Sequence, residues 1–440
     1  MVSKATRFVS RLTSSTIAVV LAGGRGSRLG VLTDWRTKPA VPFGGKFRII
    51  DFTLSNCINS NIKRICVLTQ YKSHSLIRHL LNGWSSLNAE HGAFLDVIPA
   101  QQWVDEDHWY RGTADAVYQS QDIIEGYGLD YVLILAGDHI YSMDYGEMLA
   151  AHVDSGADFT VACNVVPVRA ATGFGVMQVD ETGRIVDFEE KPESPKPLPD
   201  DPDLALGSMG IYVFSMDYLS KQLKRDAADE TSSHDFGKDI IPSALRRGDR
   251  IQSYRFENPS KSGEPYWRDV GTVDAFYQAN MELISENPPF DIYDMDWRIW
   301  TDQPQLPPAR FIGYGSVCEI ENSMVSGGCE IDISKMLNSI LYSNVKVYQG
   351  CELEGVLALP GCEIGRSSRL KNVILDNQCR VPEGTVIGHN PEDDAKRFQM
   401  SEDGIVVVNR QMLGQDEGYM PDIVREQTDA AIEPRYTIER

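Results

Sequence analysis

Three closely spaced glycines follow an apolar run near the N-terminus of the chain. The run from Ile17 to Ala22 contains only apolar residues, which predicts a buried parallel strand that ends in a loop. In that loop Gly23, Gly24 and Gly26 carry no Cβ, so the backbone can turn sharply and approach a ligand closely. Amide hydrogens in such a loop suit phosphate oxygens, and Arg25 adds a forked cationic donor. We therefore interpret this loop as the seat of a nucleoside triphosphate.

The spacing of the glycines excludes two common nucleotide-binding motifs. A P-loop requires Lys followed by Ser or Thr after its last glycine, whereas Ser27 and Arg28 follow Gly26 here. The dinucleotide-binding fingerprint requires a third glycine, which the run from Gly24 to Leu29 lacks. A plain glycine turn between a core strand and a helix is the alternative, so the interpretation needs support from other parts of the chain.

Two aspartates stand where a metal site beside a triphosphate would need them. The apolar run from Tyr131 to Ala136 predicts a strand, and Asp138 follows at its carboxyl end. Asp269 lies between aromatic residues and a glycine in the run from Tyr266 to Thr272. Carboxylate oxygens are the ligands that Mg²⁺ prefers, and paired carboxylates are usual in nucleotidyl chemistry. The alternative for each aspartate is that it caps a turn.

Further polar residues follow predicted strands or begin predicted helices. Lys38 lies between the glycine loop and two more glycines, which favours a triphosphate contact over an ordinary surface position. Gln70 and Gln101 each follow a strand, where they could contact the edge of a base or simply cap a loop. Gly112 precedes a helix whose N-terminus would offer a second seat for a nucleotide.

A second group of residues suits a sugar phosphate. Lys191 could bind the phosphate and Glu190 a sugar hydroxyl, although adjacent charges of this kind more often face solvent. The segment around Gly175 is predicted to be a loop that can approach a ligand. The motif Glu-Glu-Lys-Pro is by itself weak evidence for such a site.

The elements that must position these residues alternate between strands and helices. We predict strands at 17–22, 65–69, 94–98, 131–136, 159–168, 185–188 and 208–214, with helices at 51–60, 73–82, 114–124 and 273–284 and a helix start at 232–240. This alternation predicts an α/β domain with a Rossmann-like, mostly parallel sheet and helices on both faces. Ligands of such sheets lie at the carboxyl ends of the strands, where the glycine loop, Gln70 and Asp138 stand.

The pattern changes after a proline-rich linker. Apolar residues then recur every six positions, in the ladders Val325, Ile331, Leu337; Leu341, Val347, Leu353, Leu359; Ile364, Leu370; and Val381, Ile387. A six-residue period predicts a parallel β-helix with three short strands in each turn. We therefore divide the chain into a short mobile arm at 1–16, a catalytic domain at 17–290, a linker at 291–311, a β-helix at 312–410 and a loosely held acidic tail at 411–440.

Composition restricts the partners of the chain. The net charge of −21 over 440 residues argues against binding to nucleic acid or to an anionic membrane, and no apolar run approaches a membrane span. Basic residues nevertheless gather between Arg25 and Arg48, which allows anionic substrates. The eight cysteines never form Cys-x-x-Cys, so we expect buried thiols in a reducing compartment, the cytoplasm.

With these motifs in this order, the chain resembles the bacterial ADP-glucose pyrophosphorylase (glucose-1-phosphate adenylyltransferase) family. The matching segments are GGRGSRL, KPAVPFGGKFRIIDF, PAQQ, WYRGTADAV, LAGDHIY, FGVM, EEKP, SMGIYVF, SSHDFGKD and YWRDVGT, followed by the β-helix. The resemblance implies a left-handed β-helix and adenylyl transfer from ATP to glucose 1-phosphate with release of pyrophosphate, the committed step of glycogen synthesis. It also implies a homotetramer that is regulated by small metabolites.

The resemblance assigns roles to the residues that match its motifs. Arg25, Lys38, Asp138 and Asp269 would be catalytic, with Mg²⁺ on the two aspartates. Gly23, Gly24, Gly26, Gln70, Gln101 and Gly112 would bind the nucleotide, and Tyr110, Gly175, Glu190, Lys191 and Ser208 would bind glucose 1-phosphate. Arg36 and Arg48 are the regulatory candidates. Four positions depart from the basic or histidine residues of the enteric pattern, which leaves the effectors open: Trp35, Pro42, Gly126 and Asn377.

Three other functions compete with this interpretation. A related pyrophosphorylase could make a UDP or dTDP sugar from the same motifs. A non-catalytic regulatory subunit would not need Arg25, Lys38 and both aspartates, which are all present. An acyltransferase in the β-helix would need a catalytic histidine in the repeats, and His389 is the only histidine after position 300.

Overall fold

The chain forms an N-terminal α/β domain and a C-terminal β-helix. The computed structural model describes residues 4–24, 26–85, 87, 92–100, 109–259, 265–312 and 318–415. The helices of the N-terminal part are α1 (Lys4–Ser14), α2 (Ile49–Asn59), α3 (His74–Gly83), α4 (Thr113–Gln119), α5 (Gln121–Gly126), α6 (Tyr145–Ser155), α7 (Met216–Ala227), α8 (Ile241–Arg247) and α9 (Val273–Glu282). Its strands are β1 (Thr16–Leu21), β2 (Pro42–Phe43), β3 (Phe47–Arg48), β4 (Arg64–Thr69), β5 (Phe94–Pro99), β6 (Tyr131–Ala136), β7 (His139–Tyr141), β8 (Phe159–Pro167), β9 (Gly175–Val179), β10 (Ile185–Glu190), β11 (Leu204–Ser215), β12 (Ile251–Arg255) and β13 (Trp267–Asp269).

The C-terminal part is built almost entirely from short strands. They are β14 (Arg310–Phe311), β15 (Glu319–Glu321), β16 (Met324–Val325), β17 (Glu330–Leu337), β18 (Ile340–Leu341), β19 (Lys346–Ala358), β20 (Glu363–Ile364), β21 (Arg369–Leu375), β22 (Arg380–Val381), β23 (Val386–Ile387), β24 (Gln399–Met400) and β25 (Val406–Val408), with α10 (Pro391–Arg397) before β24. Among the described residues, no helix combines the length and apolar character that a bilayer span requires.

A nine-stranded sheet forms the centre of the N-terminal domain. Its order is β10-β9-β11-β6-β1-β4-β5, and β8 joins β11 to β12. The strands β5, β4, β1 and β6 run parallel, as predicted, whereas β11 is antiparallel to β6, β8 and β9. The parallel half therefore places the loop after β1 and the turn after β6 side by side at one edge of the sheet.

The first strand explains why its sequence is apolar without interruption. Ile17 and Val19 belong to one apolar core and Ala18 and Val20 to another, and all four are fully buried. Successive side chains of a strand point to opposite faces, so a strand that is covered on both sides must be apolar at every position. The predicted arrangement of helices on both faces of the sheet is thus confirmed.

The N-terminal segment differs from the expected mobile arm. It forms helix α1, which packs against α6. Leu12 and Thr13 are 8% and 1% exposed, and Val9 lies on the same side of the helix. The spacing of Val9, Leu12 and Thr13 marks one helical face, a signal that the charges and hydroxyl groups of this short segment obscured.

The C-terminal strands stack as parallel coils. Val347 pairs with Ile331 on one side and with Ile364 on the other, and Leu353 pairs with Met336 and Leu370 in the same way. Most stacked partners are therefore 17 residues apart, close to three times the predicted period of six. The six-residue period fails at two places. Met336, rather than the predicted Leu337, is buried inside the coil, and Ala358, rather than the predicted Leu359, is buried there one coil later. The coil arrangement was predicted correctly, but not each inward residue.

The β-helix and the N-terminal domain share a buried apolar core. Leu359 departs from the six-residue period because its side chain lies in this shared core rather than inside a coil. The contributors from the N-terminal domain include Leu29, Leu32, Val41, Phe43 and Phe276, and those from the β-helix include Tyr342, Leu357, Leu359, Ile405 and Val407. The two domains therefore share this core in addition to the apolar cores that each contains by itself. Residues 416–440, which belong to the predicted acidic tail, lie outside the described residues.

Candidate active site

A single cavity of about 730 Å³ opens at the carboxyl ends of the parallel strands. It collects residues that are distant in sequence and were predicted to act together. The predicted residues that line it are Gly23, Gly24, Gly26, Lys38, Gln70, Tyr110, Gly112, Asp138, Gly175, Glu190, Lys191, Ser208 and Asp269. Two predicted residues, Arg25 and Gln101, lie outside the described residues.

The two aspartates meet because of a short second sheet. Asp138 follows β6, and the chain then enters β7, which pairs antiparallel with β13. In this pairing Asp269 is opposite His139, so the two carboxylates come within reach of one point. One ligand atom from each of Asp138, His139 and Asp269 lies within 4.8 Å of the others. Two hard oxygen donors and one imidazole nitrogen form a donor set that suits a divalent cation.

Lys38 bridges the two aspartates in the structure. Its Nζ donates to Oδ2 of Asp138 at 2.9 Å and to Oδ1 of Asp269 at 2.7 Å. Burial alone would raise the pKa of the Asp138 carboxyl, but the Lys38 ammonium and, second, His139 lower it below its usual range. Burial alone would lower the pKa of Lys38, because it disfavours the charged ammonium. Asp138 and Asp269 together outweigh this effect and raise the pKa of Lys38 above its ordinary value. Lys38 and Asp138 are therefore both charged at neutral pH.

The glycine loop is held in a fixed shape below the cavity. Gly26 has a φ of 62°, a left-handed conformation that glycine adopts without strain, and it precedes a 3₁₀ helix at Ser27–Thr33. The Thr33 hydroxyl lies within hydrogen-bond distance of the carbonyl oxygens of Gly26 (3.1 Å) and Gly30 (3.0 Å). These contacts tie the segment to the glycine loop across a kink at Gly30, and Arg28 of this segment lies 3.7 Å from Asp269.

Gln70 closes the nucleotide side of the cavity. A Cβ on Gly23 would lie 3.1 Å from Cβ of Gln70, so the absence of a side chain at Gly23 allows this close packing. The amide of Gln70 donates to the carbonyl oxygen of Tyr110 at 3.3 Å. Burial raises the pKa of the Tyr110 phenol, which therefore stays protonated and able to donate. The loops after β4 and before α4 are thereby joined across the cavity.

Glu190, Lys191 and Ser208 line the opposite side. Oε1 of Glu190 lies 3.6 Å from Nζ of Lys191, and burial raises the pKa of Glu190 although Lys191 opposes the shift. Gly175, predicted to be in a loop, is the first residue of β9 and pairs with Glu190. A Cβ on Gly175 would lie 2.8 Å from Oε2 of Glu190, so this glycine leaves room for the carboxylate.

The N-terminus of α4, predicted to be a second seat for a nucleotide, has two of its amides occupied by the protein itself. The amides of Ala114 and Asp115, which would have to face a ligand there, donate to the carbonyl oxygen of His234 at 2.8 and 3.3 Å. A Cβ on Gly112 would overlap the carbonyl oxygens of Ser233 and His234. Gly112 is therefore needed for a close contact between two backbone segments, although it also lines the cavity.

Sequence reasoning left several cavity residues without a role. His139, Trp267 and Asp235 all line the cavity. Nδ1 of His139 and Nε1 of Trp267 are buried and lack a hydrogen-bond partner among the described residues, and the two rings meet edge to face at 5.0 Å. Burial lowers the pKa of His139 although Asp138 opposes the shift, so its imidazole is neutral and able to accept. The run SSHDFGKD contains Asp235 and was the available signal for that residue.

Arg36 and Arg48 lie away from this cavity. They line a second cavity of about 240 Å³ between the two domains. Arg36 donates to Oδ1 of Asp376 at 2.6 Å and to Oδ1 of Asn377 at 3.1 Å, while Arg48 donates to the carbonyl oxygen of Ser75 at 3.2 Å. The structure therefore separates the predicted regulatory residues from the predicted catalytic ones.

Comparison with known proteins agrees with this arrangement. The family model of nucleotidyl transferases matches residues 17–286, and the model of the GlmU-like C-terminal hexapeptide matches residues 307–408. These matches confirm the predicted α/β fold with a left-handed β-helix. The chain is 55% identical over 419 residues to glucose-1-phosphate adenylyltransferase 2 of Alkalilimnicola ehrlichii, with 94% of this chain and 98% of that protein covered.

Two further relatives carry the same name. The chain is 54% identical over 416 residues to the glucose-1-phosphate adenylyltransferase of Nitrosococcus oceani, and 53% identical over 424 residues to that of Saccharophagus degradans. Both alignments cover 94% of this chain and 98% of the relative. The chain belongs to the glucose-1-phosphate adenylyltransferase family of nucleotidyl transferases.

Proposed function

We propose that this protein transfers the adenylyl group of ATP to α-D-glucose 1-phosphate, forming ADP-glucose and pyrophosphate as the committed step of glycogen synthesis. The observation that carries the proposal is the single cavity with the glycine loop on one side, Glu190 and Lys191 on the other, and the Lys38 cluster between them. Family membership supports the same reaction. A cavity of this form can hold two phosphate-bearing substrates with their reacting groups adjacent.

The residues of the cavity divide between the two substrates. We assign the amides of the glycine loop, Arg25 and Lys38 to the triphosphate, because anions bind well where amide donors and cations converge. Gln70, Gln101 and Gly112 would contact the nucleoside. Gly175, Glu190, Lys191, Ser208 and Tyr110 would hold the sugar phosphate. Each assignment is supported by a position on the cavity wall, except those of Arg25 and Gln101, which depend on the family motifs alone.

The reaction needs no general base at this site. A phosphate oxygen of glucose 1-phosphate is already charged, and it attacks the α-phosphorus of ATP as the bond to the bridging oxygen of pyrophosphate breaks. The protein must hold the two substrates in line and offset the charge that develops on the leaving group. Lys38 can donate to a phosphate oxygen once it leaves Asp138 and Asp269, and Arg28 lies beside the same cluster.

We propose that Asp138 and Asp269 hold Mg²⁺. Their carboxylates suit a hard cation, and Nε2 of His139 lies 3.7 Å from Asp138 and 4.0 Å from Asp269. The bound ion would supply positive charge that neutralises the phosphates. Lys38 contacts the same carboxylates in the structure and lowers the pKa of Asp138, which is therefore ionised and ready to act as a ligand.

The substrates can be tested directly. The purified protein is incubated with Mg²⁺, glucose 1-phosphate and either ATP, UTP or dTTP, and the release of pyrophosphate is measured. We expect release with ATP and formation of ADP-glucose. Release with UTP or dTTP but not with ATP would instead establish a pyrophosphorylase for a different nucleotide sugar, and no release with any of them would favour a non-catalytic subunit.

We further propose that an anionic metabolite regulates the enzyme at the cavity between the domains. The charged residues that line this cavity are Arg36, Lys46, Arg48, Arg78 and Arg410 with Asp302 and Asp376. Positive charge therefore predominates in a cavity that touches both domains. Asp376 already forms an ion pair with the guanidinium of Arg36, so an anionic effector must compete with this carboxylate for Arg36.

The variant Asp376→Ala tests this regulatory proposal. It removes the acceptor that holds Arg36, so sugar phosphates and inorganic phosphate should change the initial rate at concentrations about tenfold lower than in the wild type. Asp403→Ala, an exposed acid on the β-helix, is the matched control. A screen of metabolites on the wild type would identify the effector. An unchanged response of Asp376→Ala to every compound that affects the wild type would reject this site.

Two properties of the whole protein complete the proposal. We propose a homotetramer, which family membership supports and which light scattering of the purified protein can measure. We also propose a cytoplasmic location, since all eight cysteines are free and seven of them are buried thiols of the kind that persists in reducing compartments. Fractionation of cells that express the protein would test the location.

A further inference from the structure

The segment that carries the glycine loop is in contact with the end of the β-helix. Its 3₁₀ helix, Ser27–Thr33, buries Leu29 and Leu32 in the core that Ile405 and Val407 share. One polar contact accompanies this apolar packing: the amide of Val31 donates to Oε1 of Gln399 at 3.1 Å. These two residues are 368 positions apart, so a side chain from the last part of the β-helix reaches the segment that borders the active site.

The backbone conformation at this contact depends on glycine. Gly30 has φ and ψ of 57° and −132°, a combination that side-chain-bearing residues rarely adopt. A Cβ on Gly30 would overlap the amide of Gln399. The side chain of Gln399 therefore lies directly against the Cα of Gly30 while it accepts from the next amide. Glycine adopts this conformation without strain, so the contact requires glycine at position 30 both for its backbone angles and for the space that Gln399 occupies.

A displacement at Gly30 would reach the glycine loop. The hydroxyl of Thr33 contacts the carbonyl oxygens of both Gly30 and Gly26, which links the two ends of the helix. The carbonyl oxygen of Thr33 is itself held by Nζ of Lys72 at 3.0 Å. Gly26 lines the catalytic cavity and precedes Arg28. The contact with Gln399 thus fixes the shape of the segment that we assign to the triphosphate.

We propose that Gln399 is a positioning residue for the nucleotide. From the β-helix, it holds Gly30 and Val31 so that the glycine loop presents its amides to the triphosphate, while the sugar-phosphate side of the cavity does not depend on it. The proposal rests on the proposed function for the identity of the nucleotide. It makes the β-helix part of the ATP site, because one of its side chains sets the shape of the loop.

Three variants of the full chain separate positioning from general stability. Gln399→Met keeps the length of the side chain but removes the accepting oxygen, and Gln399→Glu restores an acceptor for the Val31 amide. Gln349→Ala, an exposed glutamine on the β-helix, is the control. We expect Gln399→Met to raise the KM for ATP about 5- to 20-fold and to leave the KM for glucose 1-phosphate within about twofold. Gln399→Glu and the control should stay close to the wild type.

Hydrogen exchange measured by mass spectrometry gives a second readout that does not require turnover. In the wild type the Val31 amide should be protected, and Gln399→Met should speed exchange in the peptide that covers residues 27–34. An unprotected Val31 amide in the wild type, or equal effects of Gln399→Met on both KM values, would overturn the positioning role. Wild-type protein that makes no ADP-glucose would reject the proposed function alone, since the exchange result reports the contact independently.

Discussion

Nζ of Lys38 lies 2.7 Å from Oδ1 of Asp269, although 231 residues separate the two in the chain. The same ammonium reaches Asp138 on its other side, and the side chain of Lys38 is 6% exposed. A buried cation between two carboxylates offsets their repulsion at the centre of the catalytic cavity. We expect both stability and catalysis to depend on this contact, and the two can be tested separately.

The variant Lys38→Met should be less stable than the wild type, and the difference should shrink in acid. At pH 7 we expect the free energy of unfolding to fall by on the order of 1–2 kcal/mol. Breaking a fully buried ion pair costs roughly 3–5 kcal/mol, and the cost is lower here because the side chain of Asp138 is 34% exposed. In the wild type the depressed pKa of Asp138 contributes stability that is complete above about pH 4 and is lost below it. In the variant burial raises that pKa, so protonation relieves the repulsion as the pH falls from 7 to 4.

Urea unfolding at several pH values measures this difference. Lys221→Met, which removes an exposed lysine, should show no such dependence on pH. A stability difference for Lys38→Met that grows as the pH falls from 7 to 4 would contradict the assignment of Lys38 as the counter-ion of the two aspartates.

The variant Asp138→Asn should lose catalysis while the fold persists. We expect pyrophosphate release to fall by at least about 100-fold, because the amide is a poor ligand for a divalent cation and carries no charge. Lys38 keeps its contact with Asp269, so the melting temperature should change by less than about 3 °C. Asp200→Asn, an exposed residue of a loop, is the control. Turnover equal to that of the control would remove Asp138 from the catalytic residues.

The variant Glu190→Gln should weaken binding of glucose 1-phosphate alone. We expect its KM to rise about tenfold, because a carboxylate accepts hydrogen bonds from sugar hydroxyls more strongly than an amide does. The pKa of Glu190 is raised by burial, so the KM of the wild type should start to rise while the pH is still above 4.5. Glu189→Gln is the matched control, since Glu189 is the exposed neighbour on the same strand.

This prediction is decided by the KM for glucose 1-phosphate of Glu190→Gln divided by that of Glu189→Gln, measured as a function of pH. The ratio cancels the ionisation of the substrate, which affects both variants equally. The ratio should be largest near pH 7 and should decline as Glu190 is protonated in the control. A rise in the KM for ATP of similar size would place Glu190 in a structural role instead.

Two glycines at helix ends should respond to alanine in opposite ways. Gly112→Ala should destabilise the protein by about 2–3 kcal/mol, because its Cβ would overlap the carbonyl oxygens that cap α4. A Cβ at Gly126 meets no described atom within 4 Å, so Gly126→Ala should be neutral or stabilising by about 0.4–1 kcal/mol. Denaturant midpoints of both variants provide the measurement. Equal midpoints would show that the backbone near His234 can move aside.

Part of the site could be predicted from the sequence because several of its residues follow recognisable strands. The glycine loop follows β1 and Asp138 follows β6, and parallel strands bring such ends together. Asp269 was placed by its motif rather than by this rule. The three-residue pairing of β13 with β7 that positions it carries no periodic signal. Lys38 was expected beside phosphate, and its contact with both aspartates could not be read from a single sequence.

The features that escaped prediction all depend on contacts between distant segments. The N-terminus of α4 was predicted to seat a nucleotide, and the sequence could not show that the carbonyl oxygen of His234 occupies two of its amides. Leu359 continued a six-residue period and instead lies in the core between the domains. Gln399 has no motif around it, and only the fold shows that it reaches Val31. Local pattern predicts elements and loop ends, whereas these contacts follow from how the elements pack.

The shared core has a consequence for synthesis of the protein. Leu29 leaves the ribosome long before Ile405 and Val407, its partners in the shared core. The nascent catalytic domain therefore carries an uncovered apolar surface until the last coil of the β-helix has been translated. We expect a polypeptide that stops before that coil to be prone to aggregate.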